Sequence, residues 1–316
     1  MGAGASVNGV PASAGLTGTM STFKEHVAAY FKLPTPDKGL QTNSLLTAIE
    51  ELAGEAAKHA SIDTLAKRRF LKGESDEFTR LKTLLSFFFM IHQKMRKYDD
   101  RYDTLFATVA QRVTGRIQLP GSLNFVSWNY DSQIEMALCQ LMGVADIESL
   151  AEVISVFPPK LKELTESPET RLIKLNGTAT LFRDAITPIN MTRRLLSPLT
   201  REDLDSWGKM YSEIENGSKD LRPQIHFAWE EPEGGIRKRA MELAAVTQVL
   251  VVIGYSFPTF NRGVDREFLK ALKGKKVYVQ DLEVGVIDRL NALCESQLDV
   301  VHIEDVGQFY IPYEFL

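Results

Sequence analysis

The sequence predicts an α/β protein in which a doubly wound, Rossmann-like parallel sheet carries a helical insertion. In the second half of the chain, short runs rich in Val, Ile and Leu do not alternate with polar residues, which is typical of parallel strands covered on both faces. Amphipathic segments separate these runs, and right-handed crossovers arrange such a series as a doubly wound sheet. The expected strands are residues 123–128, 172–175, 249–253, 276–279 and 300–303, and the expected helices are residues 237–248, 265–272 and 284–294.

Residues 17–111 are predicted to form the helical insertion. Apolar side chains recur there at spacings of three and four, as at Phe23, Val27 and Tyr30. The most apolar stretch, residues 84–91, is about half as long as a membrane span and is flanked by charge, so we expect a buried helix. The sheet domain is then expected to comprise residues 1–16 and 112–316, with a short loop over residues 6–22.

The composition disfavours several classes of protein. The chain has 316 residues and a formal net charge of -4, which argues against a broad nucleic-acid interface, and its basic cluster at residues 67–72 is expected to be a solvated helix face. Two cysteines, Cys139 and Cys294, are too few for a four-thiolate zinc ribbon, so no metal is expected. The sequence shows neither a membrane-spanning run nor a signal-peptide pattern, and its low cysteine content fits a reducing compartment. We therefore expect a cytoplasmic protein without a membrane partner.

A glycine turn opens the chain, where residues 2–6 are Gly-Ala-Gly-Ala-Ser. Glycine lets a backbone approach a pyrophosphate closely and adopt positive φ, which leaves amide groups free to face the anion. The dehydrogenase pattern G-x-G-x-x-G is not met, because Val7 stands where its third glycine belongs, so hydride transfer is disfavoured. A plain structural turn explains these residues equally well when they are taken alone. Because such a turn normally follows a buried strand, we expect a strand upstream of Met1.

Polar residues end one expected strand after another. These endings are Trp128-Asn129-Tyr130-Asp131, Lys174-Leu175-Asn176-Gly177-Thr178, Gly254-Tyr255-Ser256 and Val279-Gln280-Asp281. Together with the glycine turn and residues 9–11, they resemble five motifs of the sirtuin superfamily, in the family's order. The resemblance is closer to the bacterial sirtuin-like NAD hydrolases of anti-phage defence, which use Asn-Tyr-Asp and Gly-Tyr-Ser variants of these motifs. That subgroup also lacks the zinc ribbon and carries a helical insertion.

The resemblance implies a sirtuin-like nucleotide-binding domain that hydrolyses NAD to nicotinamide and ADP-ribose. It also implies a homo-oligomer that an activating protein partner switches on, without a metal. Asn129 would order a water beside the nicotinamide ribose, and Asp131 would bind the nicotinamide amide. These roles fit the chemistry, since cleavage of the glycosidic bond builds an oxocarbenium-like cation. The residues expected to bind the dinucleotide are Gly2, Ala3, Gly4, Ser6, Trp128, Gly254, Tyr255 and Ser256, with Gln280 and Asp281 facing the adenosine.

One position departs from the family. Asn176 stands where the family has its catalytic histidine, and a carboxamide cannot accept a proton from a ribose hydroxyl as imidazole does. Asn176 either orients the ribose by hydrogen bonds, replaces a natural histidine, or marks a protein that binds NAD without consuming it. His226 lies between the motif blocks, where it either substitutes for the missing base or has a structural role.

Alternative interpretations stay open for Asn129 and Asp131, which follow the first expected strand, and for the function of the whole protein. Asn129 could cap the helix that follows it, while Asp131 adds favourable charge to the first turn of that helix. A nucleotide-sensing or assembly subunit could use the same pocket to bind NAD or ADP-ribose without turnover. A protein deacylase is a third interpretation, which the missing zinc ribbon disfavours.

Overall fold

The computed structural model describes residues 1–34, 37–145, 147–158, 169–184, 188–191, 195–230, 235–272, 274–294 and 298–315. Over these residues the protein is a mixed α/β structure with parallel sheets, as the sequence predicts. The expected strands and helices of the second half are all present, with ends that differ by at most three residues.

The first third of the chain is helical. Its longest helix buries the whole apolar stretch 84–91, which confirms the predicted buried helix. Helix ends are capped locally: Asn43 accepts the amide N–H of Leu46, and Ser61 accepts that of Thr64. No helix in the described part of the chain has both the length and the apolarity that a membrane crossing requires. The helices are α1 Ser13–Ser21, α2 Phe23–Tyr30, α3 Lys38–Gln41, α4 Ser44–Ala56, α5 Ile62–Lys72, α6 Ser75–Met95 and α7 Arg101–Val109.

Two expectations about this helical segment are wrong. Residues 6–22 do not form one loop, because α1 begins at Ser13, and the small residues of α1 give no apolar periodicity from which a helix could be predicted. The basic cluster on α5 is not fully solvated either. Arg69 is only 4% exposed and pairs with Glu55 at 2.5 Å.

The second half contains two parallel sheets of three strands. One sheet has the order β3-β5-β4, and the other has the order β11-β10-β9. The strands are β1 Gln111–Val113, β2 Arg116–Gln118, β3 Phe125–Ser127, β4 Ser155–Phe157, β5 Arg171–Lys174, β6 Gly177–Arg183, β7 Pro188–Asn190, β8 Arg222–Ile225, β9 Val249–Ile253, β10 Lys276–Gln280 and β11 Asp299–Ile303. The remaining helices are α8 Gln133–Met142, α9 Arg201–Glu215, α10 Ile236–Val246, α11 Arg262–Ala271 and α12 Gly285–Leu293.

Met1 and Gly2 lie between the two parallel sheets. The amino group of Met1 donates to the carbonyl of Val126 at 2.7 Å, and its carbonyl accepts from the amide of Trp128 at 3.0 Å. This is the pattern of a residue in a parallel strand beside β3. On the other side, the amide of Gly2 donates to the carbonyl of Ile253 at 3.0 Å. These bonds place the glycine turn at the carboxyl ends of both β3 and β9.

A third sheet was not predicted. In it β6 pairs antiparallel with β7 on one side and with β8 on the other. The sequence of β6 begins Gly-Thr-Ala-Thr, and its first six residues are all buried, so it neither alternates nor resembles an apolar run. A proline, Pro223, lies inside β8 and further weakens any strand pattern there. This sheet matters for the site because the chain leaving β8 passes beside Asn176.

The helical segment and the first parallel sheet share one hydrophobic core. Phe23, Leu45 and Phe87 from the helices belong to the same buried cluster as Phe125 and Phe182 from the strands. The predicted insertion is therefore packed into the sheet domain along its apolar faces. The division of the chain into two domains stays a prediction.

Candidate functional site

The glycine turn packs directly against the end of β9. Gly4 donates its amide N–H to the carbonyl of Gly254 at 3.0 Å. A Cβ atom on Gly2 would lie 2.6 Å from the carbonyl oxygen of Gly254, and one on Gly254 would lie 2.4 Å from the carbonyl carbon of Gly4. Gly254 also has φ of +56°, in the region that favours glycine. Two backbones thus meet where no side chain fits.

The glycines of the turn are needed for this close packing rather than for positive φ. Gly2 has a φ of -114°, and the amides of Gly2, Gly4 and Ala5 all donate to backbone carbonyls. The expectation that glycine leaves amides free for an anion is therefore wrong for these three groups. The outer surface of the turn is formed by Ala3 and Gly4, which are half-buried.

Asn129 ties the end of β3 to the glycine turn. Its Nδ2 donates to the carbonyl of Gly2 at 3.0 Å and to the hydroxyl of Ser6 at 3.3 Å. The hydroxyl of Ser6 is fully buried and lies 3.3 Å from that of Tyr102. In this structure the amide group of Asn129 supports the turn and accepts no capping hydrogen bond from the backbone of α8.

The Oδ1 of Asp131 accepts the amide N–H of Gln133, the first residue of α8, at 3.1 Å. The carboxyl group therefore lies at the first turn of that helix, which is the position that the alternative interpretation gives it. Burial raises the pKa of the Asp131 carboxyl, although the nearby Lys174 ammonium acts in the opposite direction. Lys174 is itself buried and pairs with Glu135 at 3.2 Å. The carboxyl group of Asp131 therefore lies in the protein interior, close to the charged side chains of Lys174 and Glu135.

Asn176 lies at the carboxyl end of β5, against β3. Its Nδ2 donates to the carbonyl of Trp128 at 3.0 Å. Its Oδ1 is buried and has no hydrogen-bond partner among the residues that the structure describes. A buried acceptor without a partner calls for an explanation, such as a ligand or water that completes the site.

His226 is brought next to Asn176 by the third sheet. Its amide N–H donates to the carbonyl of Asn176 at 2.8 Å, and its imidazole packs beside Gly177. Burial and the charges of Lys82 and Arg237 lower the pKa of His226 to about 4. The imidazole is therefore neutral at pH 7, but it is too weak a base to be an effective proton acceptor there.

Trp128 and Tyr255 stack on each other between β3 and β9. Their ring centroids are 5.8 Å apart and the planes differ by 10°. The hydroxyl of Tyr255 donates to the carboxylate of Asp265, with distances of 2.8 and 2.9 Å, and accepts from Asn261 at 2.8 Å. Burial raises the pKa of Asp265 to about 7. These bonds fix the orientation of the aromatic pair.

Ser256 is exposed beyond the end of β9, beside a cation that sequence reasoning missed. Its carbonyl accepts from Nε of Arg289 at 2.8 Å, and Arg289 also pairs with Glu283 at 3.1 Å. Arg289 lies on α12, more than thirty residues from Ser256, so no local pattern in the sequence could associate the two. It places positive charge beside the predicted diphosphate site.

Gln280 and Asp281 end β10 next to Gly254, whose amide donates to the carbonyl of Gln280 at 3.2 Å. The side chain of Gln280 is 2% exposed and is occupied: it accepts from the amide of Tyr310 at 3.1 Å and donates to two carbonyls in residues 305–310. It anchors that segment instead of facing a cleft. Asp281 is half-buried, and its Oδ1 accepts the amide N–H two residues further on at 3.0 Å.

A buried ion pair holds the turn from the helical side, and it too was missed. Arg101 donates to the carbonyl of Gly4 at 2.8 Å and binds Asp99 through two nitrogens, at 2.9 and 2.7 Å. Asp99 in turn accepts the amide of Asn8 at 3.2 Å. Burial by itself would raise the pKa of the Asp99 carboxyl. The hydrogen bonds from Arg101 and its positive charge outweigh that effect and hold the pKa below its ordinary value. The helical segment thus fixes the geometry of the turn.

Comparison with known proteins finds no family model that matches the chain and no curated protein that matches it significantly. Across the described ranges, no three His, Cys, Asp or Glu side chains are grouped so that they could hold a metal ion. The contacts above join eight of the predicted site residues to one another at one edge of the parallel strands. These are Gly2, Gly4, Ser6, Trp128, Asn129, Asn176, Gly254 and Tyr255.

Proposed function

We propose that this chain binds NAD at the carboxyl edge of β3, β5, β9 and β10 and hydrolyses it to nicotinamide and ADP-ribose. The proposal includes one doubly wound sheet that unites the two parallel sheets across Met1. The observation that carries it is the convergence of the endings of β3 and β9 on the glycine turn, with the ending of β5 bonded to that of β3. In α/β sheets, ligands bind outside the carboxyl ends of the strands, where the order of the strands reverses.

The diphosphate would lie over the outer surface of the turn, between Ala3 and Ser256. Arg289 supplies positive charge at that position, and the carbonyl it binds keeps it beside Ser256. The nicotinamide ribose would then extend toward Asn176. Its hydroxyl would satisfy the buried Oδ1 of Asn176, which accepts no hydrogen bond from the described residues.

Hydrolysis breaks the bond between C1′ of the ribose and the ring nitrogen of nicotinamide. The bonding electrons return to the nicotinamide ring, a water oxygen bonds to C1′, and one proton leaves for solvent. Asn129 and Asp131 would serve this step by holding the turn and by placing a carboxyl group near the developing cation. General-base help is typically worth about 10²–10⁴-fold, so a site without a histidine at position 176 is expected to turn over slowly.

A second candidate function is an NAD or ADP-ribose sensor within an assembly. Asn176 favours it, because a carboxamide supports binding of the ribose without proton transfer. By the sirtuin-like resemblance, we propose that either activity serves anti-phage defence in a homo-oligomer controlled by a protein partner. The helical segment would be the assembly surface.

One experiment distinguishes the two functions. NAD is incubated with the protein, alone and with cell extract, and the products are separated by chromatography. An enzyme releases nicotinamide and ADP-ribose in equal amounts, whereas a sensor shifts its melting temperature with ADP-ribose and releases neither. Asn129→Ala should abolish whatever release is seen, because the turn loses two hydrogen bonds. Asn291→Ala, on the exposed face of α12, is the matched control. Undiminished release by a folded Asn129→Ala protein would show that the site is wrongly assigned.

A further inference from the structure

A lysine is buried at the end of β5, next to the candidate site. Alternate residues of a strand face opposite sides of a sheet. Leu175 packs against α10 on one side, in a cluster with Ala240. Lys174 faces the other side, where its Nζ pairs with Glu135 of α8 at 3.2 Å, and it is only 1% exposed. The ammonium group therefore occupies a core position that an apolar side chain could fill.

This cation serves two carboxyl groups. The Nζ of Lys174 also donates to the backbone carbonyl of Asp131, and its charge acts on the side-chain carboxyl of the same residue. Asp131 and Glu135 are 6% and 1% exposed, and a carboxylate buried without a partner is costly. With both carboxyl groups ionised, the cluster of Lys174, Asp131 and Glu135 carries one net negative charge.

Stability alone does not account for this cluster. Replacing a buried ion pair with apolar side chains of similar volume is often neutral or stabilising, because the pair is costly to desolvate. The cluster lies beside the glycine turn, since the hydroxyl of Ser6 also favours the ionised form of the Asp131 carboxyl. A site that stabilises a developing cation gains from a negative charge already fixed at that place.

Several groups act on the charge of Asp131. Burial raises the pKa of its carboxyl, the ammonium of Lys174 and the amide N–H of Gln133 lower it, and the negative charge of Glu135 raises it. The charge of Asp131 also acts on Tyr102 of α7, but burial raises the pKa of that hydroxyl, which stays neutral at pH 7. Of these groups, Lys174 is the one that supplies positive charge.

We propose that Lys174 is a positioning residue that keeps the Asp131 carboxyl charged and fixed beside the glycine turn, ready for the cation that forms when the bond to nicotinamide breaks. The inference rests on the proposed hydrolysis of NAD, and in that reaction Lys174 acts only through Asp131. Its bond to the backbone carbonyl holds Asp131 at the end of β5. Its charge favours the ionised carboxyl.

Variants of the ion pair separate the charge of Lys174 from its packing. Lys174→Met with Glu135→Leu, the apolar pair, removes both partners together, so Glu135 is not left without its cation and the fold should be kept. Lys174→Gln with Glu135→Gln makes the same change of charge with hydrogen-bonding side chains, and it decides the question if the apolar pair does not fold. Glu135→Gln alone keeps the cation and removes the neighbouring negative charge.

The matched control is Lys94→Met with Asp203→Asn. It removes another buried lysine that pairs with a carboxylate, here between α6 and α9, with an Nζ–Oδ2 distance of 2.8 Å. Any effect that comes merely from losing a buried ion pair should appear in this control as well.

Carbon-13 NMR titration of the Asp131 carboxyl, assigned by its loss in Asp131→Asn, follows its charge without any nucleotide. The pKa of Asp131 should rise when the ion pair is removed, because Lys174 has a larger effect than Glu135. It should fall in Glu135→Gln and stay unchanged in the control. The acid side of the pH profile of nicotinamide release should move in the same direction as this pKa. At pH 6 the apolar pair should release nicotinamide at least about tenfold more slowly than the natural chain.

The inference would be overturned if the pKa of Asp131 did not change in these variants, or if it moved in the same direction in Glu135→Gln and in the apolar pair. A pH profile of nicotinamide release that stays natural while the pKa moves would also overturn it, and would leave the proposed function standing. If the pKa values move as expected but no form of the protein releases nicotinamide, the proposed function fails, and the hold of Lys174 on the charge of Asp131 is supported.

Discussion

At the residue scale, most polar side chains of the candidate site have hydrogen-bond partners in the described part of the protein, and the side-chain oxygen of Asn176 does not. Asn129 donates to Gly2 and Ser6 of the turn, and Asp131 accepts from the first residue of α8. The Oδ1 of Asn176 is buried and has no partner in the described part of the chain. Leaving such a group unsatisfied costs about 1–3 kcal/mol, which a bound ribose hydroxyl would recover. In the proposed function, Asn176 is therefore the residue that the nicotinamide ribose would contact.

Asn176→His should raise nicotinamide release. An imidazole there has the proton-accepting nitrogen that the carboxamide lacks, and it can still donate to the carbonyl of Trp128. We expect an increase of about tenfold or more, equivalent to about 1.4 kcal/mol of activation free energy. Asn176→Gln is the control, since it keeps the amide and gains no base. If the histidine variant is slower than the natural chain, Asn176 is itself the working residue.

His226 should make the protein less stable as the pH falls. Its pKa is about 4 in the folded protein against an ordinary 6.5, so the unfolded chain takes up a proton that the folded chain refuses. The contribution is fully present above pH 6.5 and is lost toward pH 4, by roughly 1–3 kcal/mol. Urea unfolding at pH 7.5 and 4.5 should therefore show a smaller loss for His226→Gln than for the natural chain.

Some pH dependence should remain in His226→Gln, because burial also lowers the pKa of His92 to about 4. An identical loss of unfolding free energy in the His226→Gln and natural proteins would contradict the assigned burial.

At the scale of elements, the turn and β9 are joined by glycines whose backbones touch. Gly254→Ala should displace the turn, because the new Cβ would fall 2.4 Å from the carbonyl carbon of Gly4. Positive φ and overpacking together should cost about 2–5 kcal/mol. Gly143→Ala is matched for backbone strain, with φ of +65° and no atom within 4 Å of its Cβ. Urea unfolding that gives the two variants equal losses would contradict the close packing.

The elements that the sequence predicts correctly are those with a strong local pattern. The apolar runs of β3, β5, β9, β10 and β11 indicate buried parallel strands by themselves. The antiparallel strand β6 escaped prediction because its threonines are buried by contacts with other elements, and α1 because its small residues have no apolar face. Both depend on tertiary packing that no short window of sequence contains.

The candidate site shows the same difference between features with a local sequence pattern and features that depend on tertiary packing. Its strand endings and glycine turn could be located from the sequence, because parallel strands end at one edge. The roles of the individual side chains could not be predicted from the sequence. Gln280 was expected to face adenosine, yet its amide is bonded to residues 305–310. Arg101, which supports the turn, and Arg289, which binds the carbonyl of Ser256, come from distant helices. Such roles depend on which segments pack together.

At the scale of the whole molecule, the helical segment, the first parallel sheet and the turn act as one packed unit. Phe23 and Phe125 share a core, and Arg101 carries the link from α7 to Gly4. A partner that shifts the helices would therefore also move the turn. This coupling gives the proposed activation by a protein partner a physical route.

The central claim is that a dinucleotide binds with its diphosphate between the glycine turn and Ser256, and calorimetric titration with ADP-ribose tests it most directly. Ser256 is exposed, so Ser256→Asp and Ser256→Asn should both fold, and they differ mainly in one charge. Two unit charges about 4 Å apart interact by about 1–4 kcal/mol near a protein surface. We predict one ADP-ribose per chain for the natural protein and for Ser256→Asn, and binding at least about tenfold weaker for Ser256→Asp. Equal affinity in the two variants, or no binding by the natural protein, would contradict the account.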